Sequence, residues 1–300
     1  MRLIQSCTGF ICDLRFTHDP NVLMAVWGNA RHPKGIQFLD AETATSVREF
    51  PIPFGEMAVS PGLTEVVRLG FDVQARPQYF DLEILDLING GLKKTLPLRL
   101  NLTSMAFSPD SQVLIVAGVN YQSGQPVYEV ARWLWRNSIE LQTFPVPWAI
   151  TALAMSNDRK TLIAGGLDNA VRFWRDSAEG NVTWKHKAAI RKLLLAQKDD
   201  ILIAAAGCSV SLWDMQRQVQ IARLRPHRKQ VNDIAISPDE RRLATASNDG
   251  SVRVWDLAKH RECVSFDWGI GKVGAVAFSP DGLTLAAGGE DGRIVIWDAE

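Results

Sequence analysis

The sequence has no excess of charge of either sign: 33 lysines and arginines stand against 33 aspartates and glutamates in 300 residues. A protein that grips the phosphate backbone usually carries a basic surplus, so only a local patch could serve that purpose here. Long apolar runs are also missing. The most apolar stretch, around 201–207, is far shorter than the ~20 residues a spanning helix needs, so no membrane partner is expected. The opening residues Met1-Arg2-Leu3-Ile4-Gln5-Ser6-Cys7 lack the ~7–15-residue apolar core of a secretory signal. Cysteine is scarce, with Cys7, Cys12, Cys208 and Cys263 scattered and no histidine at ligand spacing. This argues against a disulfide framework or a zinc site, and predicts free buried thiols in a reducing compartment, hence the cytoplasm. Helical periodicity is absent over any useful length, which excludes a bundle.

What is there is a period. Trp213-Asp214, Trp255-Asp256 and Trp297-Asp298 recur at steps of 42 residues. Backward from these come Trp174-Arg175 and Trp135-Arg136 at steps of 39, then Leu85-Asp86 and Leu39-Asp40 at 50 and 46. A second marker runs in phase: Ser60-Pro61-Gly62, Ser108-Pro109-Asp110, Ser156-Asn157-Asp158, Ser237-Pro238-Asp239 and Ser279-Pro280-Asp281. Thr17-His18-Asp19 and Gln197-Lys198-Asp199 fill the gaps, so both markers give the same seven units.

Each unit is written as strands. In the sixth, the alternating run 231–236 precedes the Ser-Pro-Asp turn, then 243–247 follows. Asn248-Asp249-Gly250 is a tight hairpin leading to 252–255, and 263–266 supplies a fourth run. Period-two patterning, β-branched residues and Gly/Asp/Asn turns mark antiparallel strands. Four short strands in about 40 residues describe a propeller blade.

With these residues in view, the chain resembles the WD40-repeat β-propeller family over its whole length, best in the last two units. The resemblance implies an all-β fold: one seven-bladed propeller domain with four antiparallel strands per blade. The blades are expected near 8–50, 51–98, 99–145, 146–185, 186–226, 227–268 and 269–300. Residues 1–7 are expected to complete the last blade and close the ring, leaving no open edge between the termini. The family's buried tetrad of His, Ser or Thr, Asp and Trp maps onto His227, Ser247, Asp249 and Trp255. Its role would be to pair buried polar atoms rather than to catalyse. Asn248-Asp249-Gly250 and Glu290-Asp291-Gly292 read as hairpins, since two carboxylates are too few for a calcium loop. The glycine pairs at 165–166 and 288–289 precede no helix, so they are not phosphate cradles. No cofactor or metal is expected.

The hairpins between second and third strands are short in blades 4–7 and enlarged in blades 1–3, at 28–35, 71–79 and 120–126. Arg31, His32, Lys34, Arg76, Tyr79 and Tyr121 lie in these additions, and Arg191, Gln230, Asn232 and Lys272 at blade starts. Loops on a rigid scaffold are where binding resides, and Arg and Tyr are enriched in interface hot spots. The leading expectation is a non-catalytic, monomeric scaffold that binds a protein or peptide, an acidic one being favoured. A propeller hydrolase or lactonase is the alternative. It would need converging carboxylates or metal ligands, and the blade-start set Ala149, Thr151, Ala189, Arg191, Gln230, Asn232, Lys272 and Gly274 offers neither. Nucleic acid is less favoured: the basic run Arg223, Arg225, His227, Arg228, Lys229 has no interleaved aromatic rings and reads as a solvated connection.

Overall fold

Alternating apolar and polar residues separated by Ser-Pro-Asp and Asp-Gly punctuation give seven four-stranded antiparallel sheets, taken up in chain order. The computed structural model describes residues 2–5, 9–29, 32–51, 57–70, 80–98, 100–121, 125–175, 178–196, 198, 200–225 and 227–299. By strand order this is a seven-bladed β-propeller. Among the described residues the one helical turn is Trp135–Asn137. No described helix is long and apolar enough to cross a membrane.

Two compact units divide the chain, one of Met1–Phe54 with Asp200–Glu300 and one of Gly55–Asp199. In the first, Arg2–Gln5 pairs antiparallel with Arg293–Asp298, Ile4 opposite Ile294, so the first strand is the fourth of the last blade. Ile4 is buried with Ile11, Leu23, Leu39, Ala286 and Ile296, fusing the first and last blades into one apolar cluster. A second cluster joins blades 6 and 7 through Val252, Ile270, Val295 and Trp297. In the other unit, Leu82, Leu96, Leu98 and Leu100 meet Leu114, Trp133 and Trp135 between blades 2 and 3. Blades 3 and 4 share Ile115, Val130, Ile150, Leu162 and Trp174.

The Ser-Pro-Asp marker has a physical reason. Ser237 Oγ donates to Asp239 Oδ1 at 2.6 Å and accepts from the Arg242 amide at 2.9 Å, locking the turn between first and second strands. Ser156 and Ser108 make the same pair of bonds. The aspartate after the tryptophan position caps the turn into the fourth strand: Asp214 Oδ1 accepts from the Gln216 and Arg217 amides. Asp40 and Asp86 do likewise, which explains why blades without the tryptophan keep the aspartate.

Three readings of the sequence are corrected. Trp255 lies opposite Leu243 and Glu262 beside a bulge, and its counterpart in blade 3 is Trp133, opposite Leu114 and Glu140 beside the same bulge. The 39-residue step had selected Trp135, whose indole instead donates to the Ser111 carbonyl at 2.8 Å. The described part of the addition in blade 1 is strand, because Val22–Asn29 and His32–Asp40 pair out to Asn29 opposite His32. Among the described residues the thiols are free but not buried, Cys12 being half-buried and Cys208 and Cys263 exposed; Cys7 lies outside the described residues.

Candidate functional site

In blade 6 His, hydroxyl and carboxylate converge, and the structure corrects one member of that set. Because Thr245 and Ser247 share a face of the strand Arg242–Ser247, sequence pattern alone does not choose between them. His227 Nε2 lies 2.9 Å from Thr245 Oγ1, and Trp255 Nε1 donates to the same oxygen at 3.3 Å. Ser247 bonds neither the imidazole nor the indole; its hydroxyl donates to the Gln230 carbonyl at 2.9 Å and accepts from the Asp249 amide at 3.1 Å. His227 Nδ1 faces Asp249, 3.1 Å from both carboxylate oxygens. A carboxylate only accepts, so Nδ1 carries the proton and Nε2 accepts from Thr245. The chain then runs Trp255 to Thr245 to His227 to Asp249.

Asp249 also accepts from the Ser251 hydroxyl at 2.7 Å, the Ser251 amide at 3.0 Å and the Arg228 amide at 2.9 Å. Burial alone would raise its pKa, but those hydrogen bonds and the nearby imidazole outweigh it and hold the carboxyl at about 2. Burial pushes His227 below the usual histidine value, although Asp249 opposes the shift. A neutral imidazole whose side chain is 0% exposed can pin a loop, but it has no access to a substrate.

The residues proposed for partner contact divide into three groups. Arg31, Arg76 and Tyr79 lie outside the described residues, and His32 and Lys34 are placed by backbone only, in the strand His32–Asp40. Tyr121 is 58% exposed, in the segment between the strands Val113–Asn120 and Val127–Leu134. Arg191 and Gln230 are exposed as well. The other two are engaged by their own chain. Asn232 Nδ2 donates to Asn248 Oδ1 and to the Val273 carbonyl of blade 7, each at 2.8 Å. Lys272 is 2.8 Å from Glu290 Oε2. Asn232 is the extra residue of a bulge in the first strand of blade 6. Thr151 holds that position in blade 4 and donates to the Ile190 carbonyl at 2.5 Å. At these two bulges the polar residue is thus a bolt to the next blade, a role the sequence pattern did not distinguish from a binding position, whereas Thr103 at the blade 3 bulge bonds within its own blade.

In the basic run, His227 is buried, Arg223 donates to Ser209 Oγ at 3.0 Å, and Arg225, Arg228 and Lys229 are exposed. Among the described residues no three His, Cys, Asp or Glu side chains gather as a metal site would require.

The family model for the WD domain, G-beta repeat, matches residues 139–175, 218–256 and 263–298. WD repeat-containing protein 55 of Homo sapiens is 30% identical over 105 residues, 34% of this chain and 27% of that protein. Transducin beta-like protein 3 of Mus musculus is 25% identical over 178 residues, 56% of this chain and 21% of its own length. Coronin-7 of Homo sapiens is 31% identical over 114 residues, 34% of this chain and 12% of that protein. The chain therefore aligns with about a quarter, or less, of the length of these relatives. With such repeats set on seven four-stranded blades, the chain belongs to the WD40-repeat β-propeller proteins.

Proposed function

We propose that this protein is a non-catalytic scaffold whose propeller presents loops to a protein or peptide partner. The observation that carries this reading is the closure of the His227–Asp249 network: the chain's most enzyme-like constellation is consumed in holding blade 6 together. The likeness to WD-repeat proteins supports it, as fold alone does not assign function. The partner surface is assigned to the second-to-third-strand hairpins of blades 1–3, with Arg31, His32, Lys34, Arg76, Tyr79 and Tyr121, and to the exposed blade-start residues Arg191 and Gln230. Asn232 and Lys272 lie at blade starts of the same kind and complete the proposed surface, although each is also bonded within its own chain. The favoured ligand is an acidic segment, because the hairpin side chains are mainly cationic and aromatic.

Affinity purification of the intact protein from its own cell extract tests the reading, alongside a hydrolase and lactonase screen with metal add-back. The scaffold reading predicts a stoichiometric protein partner and no turnover. Turnover that survives repurification and maps to a surface residue overturns it.

A further inference from the structure

Between the fourth strand of blade 2, Leu92–Leu98, and the outer strands of blade 3, Val127–Leu134 and Ile139–Val146, lies a cleft of about 440 Å³. Strand alternation builds one wall. Glu129, Ala131 and Trp133 share a face of the third strand, with Thr143 opposite Ala131 and Glu140 opposite Trp133 on the fourth. Buried Leu98, Ala131 and Trp133 make the apolar part of the lining, while half-buried Glu129 and exposed Glu140 supply carboxylates.

Two independent features mark this cleft as unfilled. The first is charge. Several other carboxylates in this unit are matched with bases: Glu65 with Lys93 and Arg136, Glu83 with Arg68, Asp110 with Arg159. Among the described residues no cation reaches Glu129 or Glu140, whose neighbours are the Asn120 amide at 3.2 Å and the Thr143 hydroxyl. The second is Trp133. It is only 8% exposed, and its indole nitrogen has no hydrogen-bond partner. The reason is a substitution in the repeat. Val116 stands where blade 6 has Thr245, two residues beyond the leucine opposite the tryptophan, so the accepting hydroxyl is gone. Nothing in the fold requires a tryptophan there, since blades 1 and 2 place Leu39 and Leu85 at the equivalent position.

We propose that this cleft is a second binding site, and that it takes an extended peptide segment whose basic side chains meet Glu129 and Glu140. Glu129 lies four residues along the strand from Trp133, and hence from Glu140, about 13 Å at ~3.3 Å per residue. One cation cannot span that distance, whereas lysines or arginines at positions i and i+4 of an extended chain match it. Ile139–Val146 is the last strand of its sheet, so it offers an edge along which such a segment can lie. This site is separate from the hairpin surface and opposite to it in charge preference.

The test is fluorescence anisotropy with a labelled Ala/Thr peptide carrying two arginines four positions apart, titrated with the intact chain. The parent should bind it saturably, and the same peptide with glutamines for arginines should not bind. E129Q/E140Q should weaken binding by about tenfold or more, as loss of charge-assisted bonds requires. W133F, which trims the ring that lines the cleft, should weaken it measurably but less than the carboxylate variant, and Glu42→Gln on another blade should change nothing. The Trp133 indole proton, identified as the NMR peak missing in W133F, should shift with the peptide, because the ring lines the cleft. The proposal fails if the parent does not bind, if E129Q/E140Q binds as well as the parent, or if Glu42→Gln loses as much. It also fails if putrescine displaces the peptide at equal concentration, which would make the cleft a small-amine site. Glu140 is exposed and Glu129 half-buried, so the carboxylate variant decides the matter even if W133F folds poorly.

Discussion

The carbonyl oxygen of Ile11 stands 2.1 Å from the place a Cβ on Gly274 would occupy, and Ile11 Cγ2 stands 2.3 Å from a Cβ on Gly288. The first strand of blade 1 therefore presses on two strands of blade 7 at points where only hydrogen fits. Backbone on one side of the Gly274 contact cannot yield. Gly274→Ala should destabilise by roughly 1–3 kcal/mol, the usual range for overpacking, and Gly288→Ala by a comparable amount. Thermal melts check this; parent-like melting of Gly274→Ala would show that the two blades are not so closely apposed.

Closure of the last blade by the first strand carries its own consequence. Ile4 is 2% exposed, so Ile4→Ala should cost about 2–4 kcal/mol through lost burial and the cavity left behind. Deleting residues 1–7 should strip the edge from Arg293–Asp298 and speed amide hydrogen exchange there first. Unchanged protection of that strand would contradict the pairing.

Thr245, rather than Ser247, is the hydroxyl that links His227 to Trp255. Thr245→Val keeps the shape but orphans two buried nitrogens, at roughly 1–3 kcal/mol for each unsatisfied group. Thr245→Ser should lie much closer to the parent. Asp249→Ala should be worse than His227→Ala, since the carboxylate also holds the Arg228 and Ser251 amides. Denaturant midpoints rank the four variants, and Thr245→Val behaving as Thr245→Ser would remove the threonine from the network.

Acid should weaken the fold in two steps. His227 is depressed in the native state, so below its unfolded value of 6.5 the unfolded chain binds the extra proton and stability falls as pH drops. Asp249, at about 2 against 3.8 unfolded, adds stability that is complete above the unfolded value and is lost as pH falls toward 2. That second step should be on the order of 1–2 kcal/mol, discounted for solvent screening. Asp249→Asn should flatten the lower limb of a plot of melting temperature against pH, and an unaltered limb would contradict the assignment.

Much of the fold was legible because its markers are local. Ser237 with Asp239, and Asp214 with its own turn, act within five residues, so their spacing survives in sequence even where the tryptophan is gone. What was not legible depends on contacts across strands. Choosing Trp133 over Trp135 needs the bulge register of blade 3, and choosing Thr245 over Ser247 needs to know where the His227 ring ends. Asn232 looked available because its acceptor, the Val273 carbonyl, lies 41 positions away in the next blade. The cleft beside Trp133 left no signature except a valine at 116, which means nothing until it is aligned with Thr245.

The central claim, that this chain is a scaffold working through its hairpins, is tested most directly by quantitative capture of the extract partner with paired substitutions. Arg31→Glu with Arg76→Glu reverses charge on two hairpins, and Lys160→Glu, on the exposed turn after Ser156, is the control. Both proteins should stay folded, and capture by the parent should be more efficient at low salt, as electrostatic steering requires. The account predicts that the hairpin variant loses the partner while Lys160→Glu keeps it. Full retention by the hairpin variant, or equal loss by the control, would contradict it.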